Sequence, residues 1–378
     1  MVTGAPRCSA SEAPVVADRD ERDLGPLAAR VPEALRASAA YHVPQPSRRP
    51  GAPEKSVKLD ANELPYGLPP ELRVQLAADL ARVALERYPD PRANRLRGIV
   101  AAQLAVEPDQ LVFGNGSDEL IAMLCAAFAG PILYPAPSFA YYRLAAIARG
   151  LPLVEVPLAP RFELDEPAVL RAIETHRPSV VFLALPNNPT GTLWRPGFAL
   201  ELAARHRDTV IVSDEAYVAY SGVTHLPSLA AHPNLVVMRT LSKIGLAGLR
   251  VGFTISSPAI ASVLEKVRPP YNLSALDQRA AELALTHAAA WCAARAADVV
   301  AERARLAAGL SALGLEVFPS EANLLLVRAP DATALWHRLA AAGILVRAFG
   351  DTGPLAGCLR ITVGTPAETD RLLGTLSV

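Results

Sequence analysis

Leu235-Val236-Val237-Met238 runs into Arg239-Thr240-Leu241-Ser242-Lys243-Ile244-Gly245-Leu246-Ala247-Gly248-Leu249-Arg250, and the chain turns apolar again at Val251-Gly252-Phe253-Thr254-Ile255. Two short apolar runs around a Gly-containing turn read as buried strands joined by a loop. One lysine sits in that loop among small residues and hydroxyls, with an arginine seven positions on. A lysine amine in such a tight, partly desolvated place loses part of its preference for the charged form. It can then act as a nucleophile toward an aldehyde, which is the requirement of Schiff-base chemistry. Taken alone, the segment reads equally well as a Gly-rich loop carrying two surface charges. The flanking sequence decides between the two.

Between about residues 110 and 257, short apolar runs alternate with longer helical stretches. The candidate strands are Leu111–Phe113, Pro131–Tyr134, Leu151–Val156, Val180–Leu185, Val210–Ser213, Leu235–Met238 and Val251–Ile255. Helices are expected at Glu119–Phe128, Ser138–Arg149, Glu166–Thr175 and Gly197–His206. Continuous apolar strands separated by helices give an α/β fold with a mostly parallel seven-stranded sheet covered on both faces. Ligands of such sheets bind beyond the carboxyl ends of the strands, so the chemistry belongs just after these runs.

The chain has 378 residues, 51% of them hydrophobic, enough for one large and one small lobe. Lys plus Arg is 37 and Asp plus Glu is 37, so no net field favours nucleic acid or an anionic membrane. Cys8, Cys125, Cys292 and Cys358 lie far apart without CxxC spacing, which suggests neither a zinc site nor a disulfide framework. A reducing, cytoplasmic setting is expected, with no metal. No apolar run reaches the roughly 18 residues of a membrane span. The first forty residues mix arginines with acidic residues and lack the apolar core of a secretory signal. Residues 1–56, including the proline-rich Val43–Gly51, read as a disordered or extended arm. Residues 57–69 read as a segment contributing to the small domain and the active site, 70–270 as the large domain, and 271–378 as a small α+β domain. The latter contains an Ala-rich helical region over Ala280–Leu310, a helix over Ala332–Ala342, and strands at Leu315–Phe318, Asn323–Val327, Ile344–Arg347 and Cys358–Val363.

Four elements recur in an order that supports one kind of chemistry. Gly114-Asn115-Gly116-Ser117-Asp118-Glu119 follows a strand and opens a helix, leaving backbone N–H groups and a positive dipole end for a phosphate. The same residues also read as an ordinary helix start capped by Ser117. Pro186-Asn187-Asn188-Pro189-Thr190-Gly191 ends one strand and Asp214-Glu215-Ala216-Tyr217 ends the next, placing Asn188 and Asp214 at one crevice; Lys243 with Arg250 follows. The demands of pyridoxal 5′-phosphate match this set. The aldehyde needs the amine of Lys243, the pyridine nitrogen an anion such as Asp214, and the ring hydroxyl partners such as Asn188 and Tyr217. The phosphate needs the helix N-terminus at Gly116, Ser117 and Asp118 with hydroxyls and Arg250. Phe139 offers an aromatic face for the ring, and reads equally as a core residue of its helix.

These segments resemble a known family. With Asn62-Glu63-Leu64-Pro65-Tyr66-Gly67, Tyr88-Pro89-Asp90, Pro270-Tyr271-Asn272 and Leu359-Arg360-Ile361-Thr362-Val363-Gly364-Thr365, they are similar in order and spacing to the fold-type I, class II aminotransferases, and within these to the histidinol-phosphate branch. The resemblance runs from about Val57 to the C-terminus. It implies a pyridoxal-phosphate fold in which Lys243 binds the cofactor and moves a proton between the substrate Cα and the cofactor C4′. It further implies that Thr240, Ser242 and Arg250 hold the phosphate and that Tyr88 reaches the phosphate of a neighbouring subunit, giving a homodimer with shared active sites. Arg360 would pair with a substrate carboxylate and Arg347 would face the distal group, with Tyr66, Tyr271 and Asn188 as further substrate contacts. The implied reaction is amino exchange between L-histidinol phosphate and 2-oxoglutarate, giving imidazole-acetol phosphate and L-glutamate, in histidine biosynthesis.

Two features depart from the family pattern: Leu64 stands where Asn is usual, and the Lys243-to-Arg250 loop is short. The same scaffold also serves aromatic amino-acid aminotransferases and threonine-phosphate decarboxylases. A non-catalytic cofactor-binding protein is the alternative of another class, against which intact Lys243, Asp214 and Arg360 weigh.

Overall fold

The structure is a computed structural model that describes residues 25–38 and 56–377. Its strands are β1 (Val57–Lys58), β2 (Leu111–Asn115), β3 (Ile132–Ala136), β4 (Leu153–Pro157), β5 (Val180–Ala184), β6 (Val210–Asp214), β7 (Leu235–Thr240), β8 (Val251–Ser256), β9 (Glu316–Val317), β10 (Leu324–Arg328), β11 (Ile344–Leu345), β12 (Arg347–Ala348) and β13 (Cys358–Thr362). The helices are α1 (Glu33–Arg36), α2 (Pro70–Leu80), α3 (Asn94–Leu104), α4 (Gly116–Ala127), α5 (Tyr141–Ala148), α6 (Glu166–His176), α7 (Gly197–Arg205), α8 (Val218–Ser221), α9 (Pro258–Val267), α10 (Ala275–His287), α11 (Ala289–Ala312), α12 (Ala332–Ala341) and α13 (Pro366–Leu376).

Strands β2 to β8 form one seven-stranded sheet in the order β2-β8-β7-β6-β5-β3-β4. The pairs β3–β4, β3–β5, β5–β6 and β6–β7 are parallel. The short Lys243 loop turns β8 back antiparallel to β7, and β8 also runs antiparallel to β2. Alternate residues along each strand enter different cores, as the pleat requires. Val181, Leu183, Ile211, Leu235 and Val237 pack with α3, α6, α7 and α10. Val180, Phe182, Val212, Val236 and Met238 pack with α4, α5 and α9. Both faces of the central strands are therefore covered, which explains the apolar runs Val180–Ala184, Val210–Val212 and Leu235–Met238.

The second unit is an antiparallel four-stranded sheet, β12-β13-β10-β9, packed against α11, α12 and α13. β1 joins it by pairing in parallel with β11, and the Thr362 N–H donates to the Leu59 carbonyl at 2.8 Å. The segment from Val57 to Leu59 is thus stitched to the C-terminal part of the chain.

Several sequence expectations need correction. The region Ala280–Leu310 is two helices, α10 and α11, separated at fully buried Ala288. Ala281 and Ala284 of α10 lie in the core beneath the large sheet. Ile344–Arg347 is two short strands that serve different partners, β1 and β13. α5 starts at Tyr141 because Ser138 and Pro137 are committed to Asn187, and α4 begins three residues early, at Gly116. Within the arm expected to be disordered or extended, Gly25–Arg30 forms a 3-10 turn and Glu33–Arg36 one helical turn; residues 1–24 and 39–55 lie outside the described residues.

Candidate active site

β7 ends at Thr240, whose hydroxyl accepts from the Ser242 N–H at 3.1 Å and donates to the Ser242 hydroxyl at 3.0 Å. Both hydroxyls are buried. Arg250 bends back to them: Nη1 donates to Ser242 Oγ at 3.3 Å and Nη2 to Asp118 Oδ2 at 2.9 Å. Gly116 carries φ +77°, and a Cβ there would lie 2.5 Å from Arg250 Nη2, so only glycine admits the guanidinium beside the start of α4. The reading of Ser117 as a plain N-cap fails, because Gly116–Asp118 are the first turn itself and Asn115 makes no side-chain cap. Glu119 turns away, accepting from the Asn115 N–H at 2.7 Å and from Asn272 Nδ2 at 2.6 Å. A helix N-terminus, two hydroxyls and a guanidinium around a space cleared by glycine are a donor set suited to a dianionic phosphate.

Lys243 closes the single turn after Thr240, and its Nζ donates to the Ala61 carbonyl at 3.4 Å. Burial, then the positive charge of Arg360, pulls its pKa down to about 8, against the smaller effects of Asp118 and Glu63. A usable fraction of the amine is therefore neutral near physiological pH. Tyr220, which donates to the Lys243 carbonyl, fixes the backbone from behind.

Asp214 ends β6 beside Ala184 of β5, so the Asn188 turn and this carboxylate emerge side by side. It is only 6% exposed. Burial pushes its pKa up to about 6, opposed by a 2.6 Å hydrogen bond from the Tyr142 hydroxyl and a 3.1 Å bond from the Ala216 N–H. Phe139 stands edge-on to Tyr142, with ring centroids 5.7 Å apart. Tyr217 is buried, and its hydroxyl accepts from Asn62 Nδ2 at 2.9 Å. The neighbouring asparagines divide the work. Asn187 is wholly buried and ties Ser138, Pro137 and Thr190 together, while Asn188 Oδ1 accepts from Arg360 Nη1 at 2.8 Å.

Arg360 belongs to β13, and its Nη2 donates to the Asp60 carbonyl at 2.5 Å. Arg347 stands directly opposite it on β12. Tyr66 lines a cavity of about 300 Å³ with Lys58, Glu63 and Thr362, and its ring lies 5.3 Å from the Arg295 guanidinium. Tyr271 stacks on Tyr88 at 4.5 Å, and Tyr88 is 81% exposed.

Sequence reasoning does not single out Tyr142, Asn62, Thr362 or Asn323. Asn62 adopts φ +53°, its N–H donates to Thr362 Oγ1 at 2.9 Å, and its carbonyl accepts from Asn323 Nδ2 at 3.0 Å. Its place in the Asn-Glu segment was the available signal; nothing marks Tyr142 apart from its aromatic neighbours. The two departures from the family pattern meet each other. Gly245, with φ +94°, lies where a Cβ would come within 3.0 Å of Leu64 Cδ2, and Leu64 is 7% exposed. Leu64 thus packs over the short loop.

The family described as aminotransferase class I and II matches residues 54–376. The histidinol-phosphate aminotransferase 1 of Burkholderia lata is 46% identical over 328 residues, covering 85% of this chain and 92% of that protein. The histidinol-phosphate aminotransferase of Chromobacterium violaceum is 44% identical over 348 residues, covering 90% of this chain and 95% of that protein. Among solved structures, the histidinol-phosphate aminotransferase of Sinorhizobium meliloti in complex with pyridoxal-5′-phosphate superposes with a TM-score of 0.76 at 28% identity, over 85% of this chain and 89% of that one.

Proposed function

We infer, from the premise that this chain belongs to the class I and II aminotransferases, that it is a pyridoxal-phosphate-dependent transaminase acting on L-histidinol phosphate and 2-oxoglutarate. Its products are imidazole-acetol phosphate and L-glutamate, a step of histidine biosynthesis. The observation that carries the reading is the placement of Lys243 beside Arg360: an amine held near pKa 8, partly by the very guanidinium that receives an anion. The relatives' names supply the substrate.

When bound, pyridoxal phosphate supplies an aldehyde for amines and a ring that accepts the electron pair of the substrate Cα–H bond. The protein does the rest. The start of α4, Thr240, Ser242 and Arg250 hold the phosphate. Asp214 would keep the pyridine nitrogen protonated, Asn188 and Tyr217 would bind the ring oxygen, and Phe139 would offer an aromatic face to the ring. Lys243 would be the base that moves a proton between the substrate Cα and C4′ of the cofactor. Arg360 grips the carboxylate of glutamate or 2-oxoglutarate as a planar fork. Arg347, Tyr66 and Tyr271 serve the distal end, where one substrate carries a second carboxylate and the other a phosphate.

Tyr88, Val74, Leu85, Tyr271 and Leu276 leave exposed apolar surface on one chain, which supports a homodimer in which Tyr88 reaches the partner's cofactor phosphate. A cytoplasmic location fits a biosynthetic enzyme, and no helix among the described residues is long and apolar enough to cross a membrane. The test is glutamate formation from 2-oxoglutarate with L-histidinol phosphate, phenylalanine or tyrosine as donor, at equal concentrations. The highest kcat/KM is expected for L-histidinol phosphate. A preference for the aromatic donors would reassign the substrate, and carbon dioxide release from threonine phosphate would reassign the reaction.

A further inference from the structure

Tyr142 is fully buried on α5, and three aromatic rings fix it. Its ring stacks on Phe182 of β5 at 4.6 Å and 11°, meets Phe139 edge-on at 5.7 Å and 88°, and tilts against Tyr134 at 5.8 Å. With the ring pinned, the hydroxyl has one direction to point, and it donates to Asp214 Oδ2 at 2.6 Å. Asp214 Oδ1 is occupied by the Ala216 N–H. We propose that Tyr142 is a positioning residue for the cofactor ring: its hydroxyl keeps the Asp214 carboxylate ionised and aimed at the pyridine nitrogen, while its ring backs Phe139. The proposal rests on the cofactor assignment made above and adds a residue that touches neither cofactor nor substrate.

The charges around Asp214 make the hydroxyl necessary. Facing it are Asp118 from α4, Glu215 next along the chain, and Tyr142 from α5; Tyr217 stands near Tyr142. Glu215 is neutralised by Arg239, at 2.9 Å. Burial and the two acidic neighbours favour the protonated carboxyl, whereas the Tyr142 hydroxyl and the Ala216 N–H favour the carboxylate. A protonated Asp214 cannot hold a positive charge on the ring nitrogen. The Tyr142 hydroxyl in turn titrates far above neutrality because of burial and Asp214, so it remains a donor across the working range.

The experiment is Tyr142→Phe in the full-length protein, which removes the hydroxyl and keeps the aromatic stack. Expected are a cofactor dissociation constant raised about tenfold, an acid limb of kcat moved up by about one pH unit, and a KM for L-histidinol phosphate within about twofold of the parent. In an Asp214→Asn background the same change should add little, because the acceptor it serves is gone. Unchanged cofactor affinity with an unshifted acid limb overturns the proposal, as does a full additional loss in the Asp214→Asn background. Parent protein that binds no pyridoxal phosphate overturns the functional reading itself.

Discussion

At the carboxyl end of the large sheet, Asp214 ends β6, and Asn188 and Lys243 lie in the turns just after β5 and β7, each delivered by its own strand. Across the site, Asp60, Asn62, Arg347 and Arg360 come from segments as much as 300 residues apart, joined by β1–β11 pairing and by Asn62–Thr362 and Arg360–Asp60 hydrogen bonds. The first half is a local product of strand order. The second exists only where two distant stretches of chain lie together, so the arginine proposed to take the substrate carboxylate is also a cross-link: Arg360 holds Asn188 of the large unit and the Asp60 backbone at once. On the proposed assignment, cofactor chemistry rests on the local half and substrate capture reports on the assembly.

The comparison breaks most severely at Lys243. Lys243→Ala should lower turnover about 10⁴-fold or more and abolish the absorbance of lysine-bound cofactor, with the fold intact by circular dichroism. Retained activity would remove the central assignment. On the assembled half, Arg360→Lys should lower kcat/KM for 2-oxoglutarate about 10²-fold, because a lysine cannot fork to a carboxylate and also hold Asn188 and Asp60. A loss in kcat/KM for glutamate matching that for 2-oxoglutarate, with cofactor affinity unchanged, sharpens the division.

Stability separates the halves by smaller amounts. In the cofactor-free protein the Lys243 pKa is lowered to about 8 from 10.5, so the folded state binds fewer protons than the unfolded one between those values. Its charge thus opposes folding fully below about pH 8, and the cost fades as pH rises toward 10.5. Lys243→Met should accordingly stabilise the cofactor-free protein by about 2 kcal/mol at pH 7 in urea titrations. The gain should disappear near pH 10.5. Thr362→Val, which strands the buried Asn62 N–H, should cost about 1–3 kcal/mol and raise KM more than it lowers cofactor affinity. Gly245→Ala meets both φ +94° and the Leu64 contact, and should cost about 1–2 kcal/mol. If Leu64→Ala relieves that loss, the short loop and Leu64 act as a matched pair.

The same contrast governs what could be read in the sequence. Apolar runs such as Val180–Leu185 and Val210–Val212 announce buried parallel strands, and the residues after them announce the candidate site, because period and position carry that information locally. The facing of Arg347 and Arg360 is a matter of strand register across a β12–β13 pair, which periodicity does not encode. Tyr142 is hidden for a related reason: its partner Asp214 lies 72 residues away on another strand, and a tyrosine among aromatics reads as core. The break between α10 and α11 falls within a run of alanines, the best helix formers, so tertiary packing at Ala288 overrides a local preference that points the other way. The exposure of Tyr88 reflects a surface that one chain does not cover.

The most direct measurement is the half reaction. Purified protein loaded with pyridoxal phosphate is mixed with L-histidinol phosphate alone, and the cofactor's absorbance is followed as it passes from the aldehyde-bound to the amine form. Fast conversion, reversed by adding 2-oxoglutarate and slower with phenylalanine or tyrosine, is the predicted result. Absence of conversion with L-histidinol phosphate, while an aromatic amino acid drives it or nothing does, would contradict the account.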